Sequence, residues 1–226
     1  MHALGRSGKG HSGAGTRTMP GMDVVAVVPV GSLESAKSRL GAALDAEERR
    51  DLVLRLLERT VAACLAAESV TSTIVVSPDP VALAEAERLG ARTLLQADNG
   101  LNEGVREARA LAVTAGATAI LILPVDLPLI GADAIEEIIA SSAGDPGPTV
   151  GLVSDRHGRG TNALLIGPPG AIEPCFGGDS AAAHRAQAMA AGARLHELDG
   201  PLTLDLDTTD DLLLAEELAP RALRAS

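Results

Sequence analysis

The sequence predicts one α/β domain with a mostly parallel (mixed) β-sheet flanked by helices, and three observations carry this prediction. The chain has 226 residues, of which 46% are hydrophobic, enough to bury one sizeable core. From residue 23 onward, β-branched runs alternate with segments of helical periodicity. Four such β-then-α units fall within about a hundred residues, an order typical of a parallel sheet with crossover helices.

The first half of the chain supplies this alternation. Residues 24–30 form a continuous apolar run of the kind that is buried on both faces of a parallel sheet. Residues 45–66 repeat apolar side chains at helical spacing, and Asp45 with Glu48 predicts a capping box at the start of this helix. The remaining elements expected here are strands at 74–76, 93–95 and 119–123, and helices at 80–89 and at 102–115, the latter with Asn102 as its cap.

The second half alternates less regularly, and its longer connections suggest a substrate-binding insertion. A loop rich in Gly and Pro at 144–148 separates its first helix from the strands that follow. The elements expected after Gly131 are a helix through residue 139, strands near 150–153 and 163–166, a helix at 180–191, extended segments at 194–198 and 202–206, and a terminal helix at 208–218 capped by Thr208.

The two ends of the chain differ from this pattern. Residues 1–22 are rich in Gly and Ser, contain basic residues and lack a continuous apolar run that would serve as a signal peptide or membrane span. We expect a disordered extension, while a natural start at Met19 or Met22, or a cloning remnant, would explain the segment equally well. The folded α/β domain is therefore expected at 23–219, followed by a short tail at 220–226.

Composition excludes several classes of partner. The chain has no Trp, no Tyr and a single Phe, so stacking on nucleic-acid bases is nearly unavailable. A formal net charge of −11 repels polyanions, and no nucleic acid or membrane is expected as a partner. Cys64 and Cys175 lack the spacing of a zinc site or a disulfide scaffold, which favours a reducing cytoplasm. The oligomeric state stays open, and a homodimer is compatible with the sequence.

The loop after the first strand is a candidate phosphate-binding segment. Ligands of open α/β sheets bind beyond the carboxyl ends of the strands. Gly31 and Ser32 open a loop of small residues whose backbone N–H groups can cradle phosphates, and the loop ends in Lys37 and Arg39. Lys37 is the only lysine beyond residue 22. The alternative is an ordinary surface loop with solvated charges.

Carboxylates mark a candidate metal site. Asp126 directly follows the fourth predicted strand, where it suits Mg²⁺, although it could instead cap a turn before a proline. Alternation along an extended segment puts Asp205 and Asp207 on one face, and one of them is expected to be the second ligand. Asp210 and Asp211 are explained by the preference of a first helical turn for acidic residues.

A glycine pair before the predicted helix at 180–191 is a candidate anion site. Gly177 and Gly178 precede a first turn that contains Ser180, so N–H groups and a hydroxyl can converge there. His184 lies one turn further on, where a histidine is more often structural than ligand-binding. Phe176, the sole aromatic residue, is expected to anchor the loop by packing.

Together these segments resemble the CofC/FbiD-type 2-phospholactate and phosphoenolpyruvate guanylyltransferases over residues 24 to about 218. The resemblance implies a single Rossmann-like nucleotidyltransferase domain, similar in fold to molybdopterin guanylyltransferases and sugar-phosphate nucleotidyltransferases. It is carried by Ala-Lys-Ser-Arg-Leu at 36–40, Gly-Leu-Asn at 100–102, Asp-Leu-Pro-Leu at 126–129, Gly-Thr-Asn-Ala-Leu-Leu at 160–165, and Phe176-Gly177 followed by Ser180 and His184.

The resemblance also implies substrates and roles. It implies GTP as the donor, Mg²⁺ as the cofactor and a small phosphorylated three-carbon acid as the acceptor. Gly31 departs from the family pattern, in which many members are expected to have lysine, and this leaves more of the phosphate contact to Lys37 and Arg39. The implied roles are catalysis by Lys37, Arg39 and Asp126; metal binding by Asp126 and Asp207; nucleotide binding by Gly31, Ser32, Lys37, Gly100 and Asn102; and acceptor binding by Thr161, Gly177 and Ser180.

The reaction implied is transfer of GMP to the phosphate of phosphoenolpyruvate or 2-phospho-L-lactate, with release of pyrophosphate, in coenzyme F-420 biosynthesis. Two alternatives stay open at this point. One is an enzyme of the same fold acting on a sugar phosphate or molybdopterin, although the Gly-Gly-x-Gly-x-Arg loop that would favour it is absent after the first strand. The other is a module that senses GTP without turnover. No residue selects among phosphoenolpyruvate, 2-phospholactate and 3-phosphoglycerate as the acceptor.

Overall fold

The computed structural model describes residues 22–34, 37–41, 43–98 and 100–219 of the chain. The predicted tail and all of the predicted extension except its last residue lie outside these ranges. That residue, Met22, packs against the hydrophobic core. Among the described helices, none is both long enough and apolar enough to cross a membrane.

The described residues form a seven-stranded sheet and six α-helices, which alternate along the chain except that β6 directly follows β5. The strands are β1 Val24–Pro29, β2 Val70–Ser77, β3 Arg92–Leu95, β4 Ala119–Ile122, β5 Thr149–Ser154, β6 Thr161–Gly167 and β7 Arg194–Glu197. The helices are α1 Ala46–Ala66, α2 Pro80–Arg88, α3 Leu101–Thr114, α4 Ala132–Ser141, α5 Ser180–Ala190 and α6 Thr209–Leu218, with short 3₁₀ turns at Ser38–Leu40 and Pro201–Thr203.

The sheet is mixed, with strand order β3-β2-β1-β4-β6-β5-β7. β1 pairs in parallel with β2 on one side and with β4 on the other, and β6 runs antiparallel to β4. β2 and β3 are added on one side of β1, and β4 and the later strands are added on the other side. Open α/β sheets bind ligands at the point where the strand order reverses in this way, here between β1 and β4. Because β6 is antiparallel, its first residue, Thr161, lies at the same edge as the ends of β1 and β4.

Helices cover both faces of the sheet, as the unbroken apolar run of β1 predicts. Val24, Ala26 and Val28 pack in a cluster with α1, α2 and α4, while Val25 and Val27 pack with α3 and α5. A third, smaller cluster joins α6 to the beginning of α1. The prediction of one α/β domain with a mostly parallel sheet is therefore confirmed.

The predicted helix starts are correct where a local motif defines them. The Asp45 side chain accepts a hydrogen bond from the Glu48 N–H, and the Glu48 carboxylate accepts one from the Asp45 N–H, which completes the capping box of α1. Thr208 and Asp211 form the same motif at α6. The expectation that Asp211 serves the helix start is confirmed.

Three expectations about individual elements are wrong. Asn102 does not cap α3: Gly100 is the N-cap residue, with a positive φ of 118°, and Asn102 lies within the first turn. The second half adds no separate insertion within the described residues, because β5, β6 and β7 extend the main sheet beyond β4. The segment expected to be extended at 202–206 begins as a 3₁₀ turn, Pro201–Thr203, and continues as an irregular segment that pairs with no sheet edge.

Candidate active site

The switch point carries a cluster of three carboxylates. The Leu206 N–H donates a 3.0 Å hydrogen bond to the Asp126 backbone carbonyl, which docks the 204–207 segment beside the residues that follow β4. Leu206 is fully buried, so its neighbours Asp205 and Asp207 point the other way, as the alternation predicts. One oxygen from each of Asp126, Asp205 and Asp207 lies within 4.8 Å of the others.

Lys37 is the cation inside this cluster. Its Nζ donates hydrogen bonds to Asp126 Oδ2 at 2.8 Å and to Asp207 Oδ1 at 3.2 Å, and its side chain is 12% exposed. Burial lowers the pKa of the ammonium, but the two carboxylates outweigh burial and hold that pKa above its usual value. Arg39 contacts Asp207 Oδ2 at 3.2 Å and is largely exposed.

The cluster has the chemistry of a site for a hard divalent cation. Burial first, and then the charges of Asp126 and Asp207, raises the pKa of Asp205 to about 6. Three carboxylates thus face two cations, the buried Lys37 and the exposed Arg39, and carry more negative charge than these neutralise. Carboxylate oxygens are the protein ligands that Mg²⁺ prefers, so the donor set fits this ion. The predicted pair Asp126 and Asp207 is joined by Asp205, which the sequence left as an alternative to Asp207.

A cavity of about 390 Å³ opens between the first loop and the carboxylates. A smaller space of about 230 Å³ adjoins it, with Gly31 and Ser32 in both linings and Gly100 and Gln96 on the far wall. Gln96 had no signal in the sequence beyond its place after the third strand. The predicted residues that line the first cavity, of about 390 Å³, are Gly31, Ser32, Lys37, Arg39, Asp126 and Asp207.

A second cavity, of about 600 Å³, lies on the other side of the carboxylates. It brings together the three residues predicted to bind the acceptor, Thr161, Gly177 and Ser180. A Cβ atom at Gly177 would meet no protein atom within 4 Å, so the glycine leaves its backbone open to the cavity. Its φ of 154° lies in the region that side chains disfavour. The two cavities share Arg39, Leu101, Pro124, Asp126 and Asp207.

The glycine-rich turn before β6 builds one wall of the second cavity. The Asp155 carboxylate accepts hydrogen bonds from the backbone N–H groups of His157, Arg159 and Gly160 at 2.8–3.0 Å. Burial raises the pKa of Asp155, but these donors outweigh it and hold that pKa below its usual value. The Arg159 carbonyl in turn accepts the Ala181 N–H at 3.0 Å, which fixes the beginning of α5.

His184 and Phe176 have structural positions, as expected. His184 is fully buried in α5 and hydrogen-bonds to Thr161 Oγ1 and to the Cys175 N–H, each at 3.0 Å. Burial lowers the pKa of His184 to about 4. Phe176 packs edge-on against the imidazole with ring centroids 5.5 Å apart. Neither side chain therefore needs a ligand to account for its place.

Two asparagines have positions that the sequence did not predict. The Asn102 amide binds the backbone of Phe176 twice, donating to its carbonyl at 3.0 Å and accepting its N–H at 2.7 Å. This contact ties the start of α3 to the loop before α5, while a nucleotide-binding role for Asn102 stays a prediction. Asn162 is buried and donates to the Leu202 carbonyl at 2.9 Å, which anchors the segment leading to Asp205. The motif at 160–165 was the only sequence signal for Asn162.

Comparisons with known proteins identify the family of this chain. Residues 24–217 match a family model described as guanylyl transferase, CofC like. Proteins named phosphoenolpyruvate guanylyltransferase are similar over nearly their whole length. The one from Sphaerobacter thermophilus is 48% identical, with 89% of this chain and 95% of that protein covered. The one from Rubrobacter xylanophilus is 43% identical, with 86% and 94% covered.

Solved structures share the fold at low sequence identity. A putative nucleotide-diphospho-sugar transferase from Desulfovibrio desulfuricans has a TM-score of 0.71 at 15% identity, with 90% of each chain covered. A CMP:2-keto-3-deoxy-manno-octonic acid synthetase complexed with CTP has a TM-score of 0.61 at 13% identity, with 88% of this chain and 99% of that chain covered. These likenesses show that the fold is that of nucleotidyltransferases.

Proposed function

The chain belongs to the CofC-like guanylyltransferase family, and on that premise we propose that it transfers GMP from GTP to the phosphate of phosphoenolpyruvate. The names of its relatives support phosphoenolpyruvate, and 2-phospho-L-lactate is the alternative acceptor. The product belongs to coenzyme F-420 biosynthesis in this proposal, and the reaction takes place in the cytoplasm, with Mg²⁺ as cofactor.

One observation carries the proposal: Asp126 and Asp207 form a wall common to both cavities. A triphosphate lying against Gly31, Ser32 and Lys37 and an acceptor phosphate lying against Ser180 would meet at these carboxylates. Such an arrangement suits transfer between two phosphate groups, because the reacting atoms are aligned at a shared centre of charge.

The chemistry follows from the residues around this wall. A phosphate oxygen of the acceptor attacks the α-phosphorus of GTP, the bond between the α-phosphorus and the bridging oxygen breaks, and pyrophosphate leaves. The attacking oxygen is already anionic at neutral pH, so no general base is required. Lys37 and Arg39 offset the charge of the phosphates, and the donors of Ser180, Thr161 and the Gly177 backbone orient the acceptor.

The carboxylates Asp126 and Asp207, with Asp205 beside them, would hold Mg²⁺. When bound, the ion supplies neutralisation of phosphate charge, which matters more in a chain with a formal net charge of −11. Lys37 then keeps the carboxylates in place and remains close enough to contact a triphosphate oxygen.

An acceptor panel tests this proposal. GTP and Mg²⁺ are incubated with phosphoenolpyruvate, 2-phospholactate, 3-phosphoglycerate or glucose 1-phosphate, and pyrophosphate release is measured together with the mass of the nucleotide product. We expect release with phosphoenolpyruvate or 2-phospholactate, dependent on Mg²⁺, and much less with ATP or CTP as donor. Release only with the sugar phosphate, or none with any acceptor, would contradict the proposal.

A further inference from the structure

A chain of hydrogen bonds lies behind the second cavity, where we propose that the acceptor binds. It runs from the loop before α5, through a buried histidine, to a hydroxyl at the cavity wall. Its members are the Cys175 N–H, the His184 ring and the Thr161 hydroxyl, joined by two contacts of 3.0 Å. The Thr161 residue lines the cavity, whereas His184 is fully buried behind it and touches no space that a substrate could fill.

The contact with the Cys175 N–H fixes which atom donates in both hydrogen bonds. A backbone N–H can only donate, so Nε2 of His184 must accept from Cys175 and carries no proton. A neutral imidazole then carries its proton on Nδ1, which donates to Thr161 Oγ1. Burial keeps the ring neutral by lowering its pKa to about 4.

The consequence falls on the Thr161 hydroxyl. Because its oxygen accepts from His184, its own hydrogen is left to be donated elsewhere, and no described residue provides a second partner for it. A hydroxyl fixed in this way presents a donor to the cavity. A donor suits a phosphate, whose oxygens are acceptors only, and a fixed one loses no rotational freedom on binding.

We propose that His184 is a positioning residue that makes the Thr161 hydroxyl an obligatory donor to the phosphate of the acceptor. This inference rests on the proposed function for the identity of the acceptor. It goes further in assigning to a buried histidine, with no contact to substrate, the task of orienting one hydrogen bond of the acceptor site. Phe176 holds the plane of the ring by its edge-on contact.

Two substitutions separate the two ends of the imidazole. His184→Gln can place a carbonyl oxygen near the position of Nε2, which keeps the acceptor for the Cys175 N–H and removes the donor to Thr161. His184→Asn can place an amide nitrogen near Nδ1, which keeps the donor to Thr161 and removes the acceptor. We expect His184→Gln to raise the acceptor KM about tenfold and His184→Asn to raise it about twofold or less, with the GTP KM within about twofold in both.

A double-mutant cycle isolates the path through Thr161. In a Thr161→Val background, which lacks the hydroxyl, His184→Gln should leave the acceptor KM unchanged within about twofold, because there is no hydrogen left to orient. Equal effects of the Gln and Asn variants, or additive effects of His184→Gln and Thr161→Val, would mean that His184 only supports the fold and would overturn the inference.

Two further measurements, made on the unmodified protein and on His184→Gln, do not need turnover. The ¹⁵N spectrum of the histidine rings, with the His184 signals assigned by their loss in His184→Gln, should show the neutral Nδ1–H form from about pH 6 to pH 8. An Nε2–H form or a charged ring would overturn the inference. Calorimetric titration with phosphoenolpyruvate and with inorganic phosphate should show binding that weakens in His184→Gln.

These measurements distinguish the two proposals. If the unmodified protein turned over no acceptor yet bound inorganic phosphate while His184 was in its Nδ1–H form, and His184→Gln weakened that binding, the proposed function would fail and this inference would stand. If it bound neither ligand, there would be no anion for the hydroxyl to hold, and the inference itself would fail.

Discussion

Lys37 adopts a backbone conformation that is rare for a residue with a side chain. Its φ of 50° and ψ of 39° lie in the left-handed region, which costs about 1–2 kcal/mol outside glycine. The same residue places its ammonium between Asp126 and Asp207, two residues of the wall that the two cavities share. Strain retained at a charged residue in a site is characteristic of functional positions, and it supports the assignment of Lys37 to the reaction.

Asp126→Asn should abolish turnover while the fold is kept. The substitution preserves the shape of the side chain and removes one negative charge from the proposed ligands of Mg²⁺. We expect less than about a tenth of the unmodified rate of pyrophosphate release at saturating Mg²⁺, with an unchanged circular dichroism spectrum. The matched control is Asp51→Asn, the same change at an exposed position of α1. A variant at residue 126 that kept more than a tenth of the rate would argue against this metal site.

Ser180→Ala and Lys37→Ala should affect different substrates. Ser180 is buried at the start of α5 and lines the second cavity but not the first. Loss of its hydroxyl should therefore raise the acceptor KM about tenfold and leave the GTP KM within about twofold. Lys37→Ala should instead raise the GTP KM or lower kcat, with little change in acceptor binding. Steady-state kinetics with each substrate varied in turn decides this. The reverse pattern would mean that the two cavities exchange substrates.

At the level of secondary-structure elements, the site depends on how the start of α5 is held. The Arg159 carbonyl accepts the Ala181 N–H from one side, and Asn102 in α3 binds both backbone groups of Phe176 from the other. The loop that contains Gly177 is thereby fixed between two elements distant in sequence. The proposed acceptor site consists of backbone and hydroxyl donors on small residues, so its geometry depends on this support.

Asn102→Asp should loosen this loop. A carboxylate can still accept the Phe176 N–H but cannot donate to the Phe176 carbonyl, so two acceptors would face each other. We expect a loss of about 1–3 kcal/mol in the free energy of unfolding by urea, and a higher acceptor KM with little change in the GTP KM. Asn102→Ala, which removes both bonds without adding charge, should change the same two quantities. If only the GTP KM rose, Asn102 would be a nucleotide ligand rather than a loop support.

At the scale of the whole molecule, the core is built almost entirely from aliphatic side chains on both faces of the sheet. Cys64 of α1 is part of this core and fully buried, whereas Cys175 lies in the partly exposed loop before α5. Both thiols are free. Because the side chains around Cys64 are closely packed, a reagent can reach this thiol only when the core opens.

The two thiols should therefore report on different events. Burial raises the pKa of Cys64 to about 12, so at pH 8 almost none of it is the reactive thiolate. In Cys175→Ala, an aromatic disulfide reagent at about pH 8 should label no thiol in the native protein and one thiol after unfolding in guanidinium chloride. Fast labelling of native Cys175→Ala would show that the core around α1 opens readily.

Local patterns alone predicted the elements whose signals are contained within a few residues. The capping box at Asp45 and Glu48 and the apolar run of β1, buried on both faces, were predicted correctly. Each of these signals lies within a few consecutive residues. Asp126 was placed at a strand end for the same reason. The family resemblance implied acceptor-binding roles for Thr161, Gly177 and Ser180, and these roles stay predictions, although the structure brings the three residues into one cavity.

Tertiary structure alone decided the contacts between distant parts of the chain. The direction of β6, the pairing of Asn102 with Phe176, the link from His184 to Thr161 and the docking of Leu206 on Asp126 have no local pattern. The sequence left Asp205 and Asp207 as alternatives because alternation fixes only the face on which a side chain lies. Which carboxylates converge depends on which backbone the segment docks against, and that is set by the packing of the whole sheet.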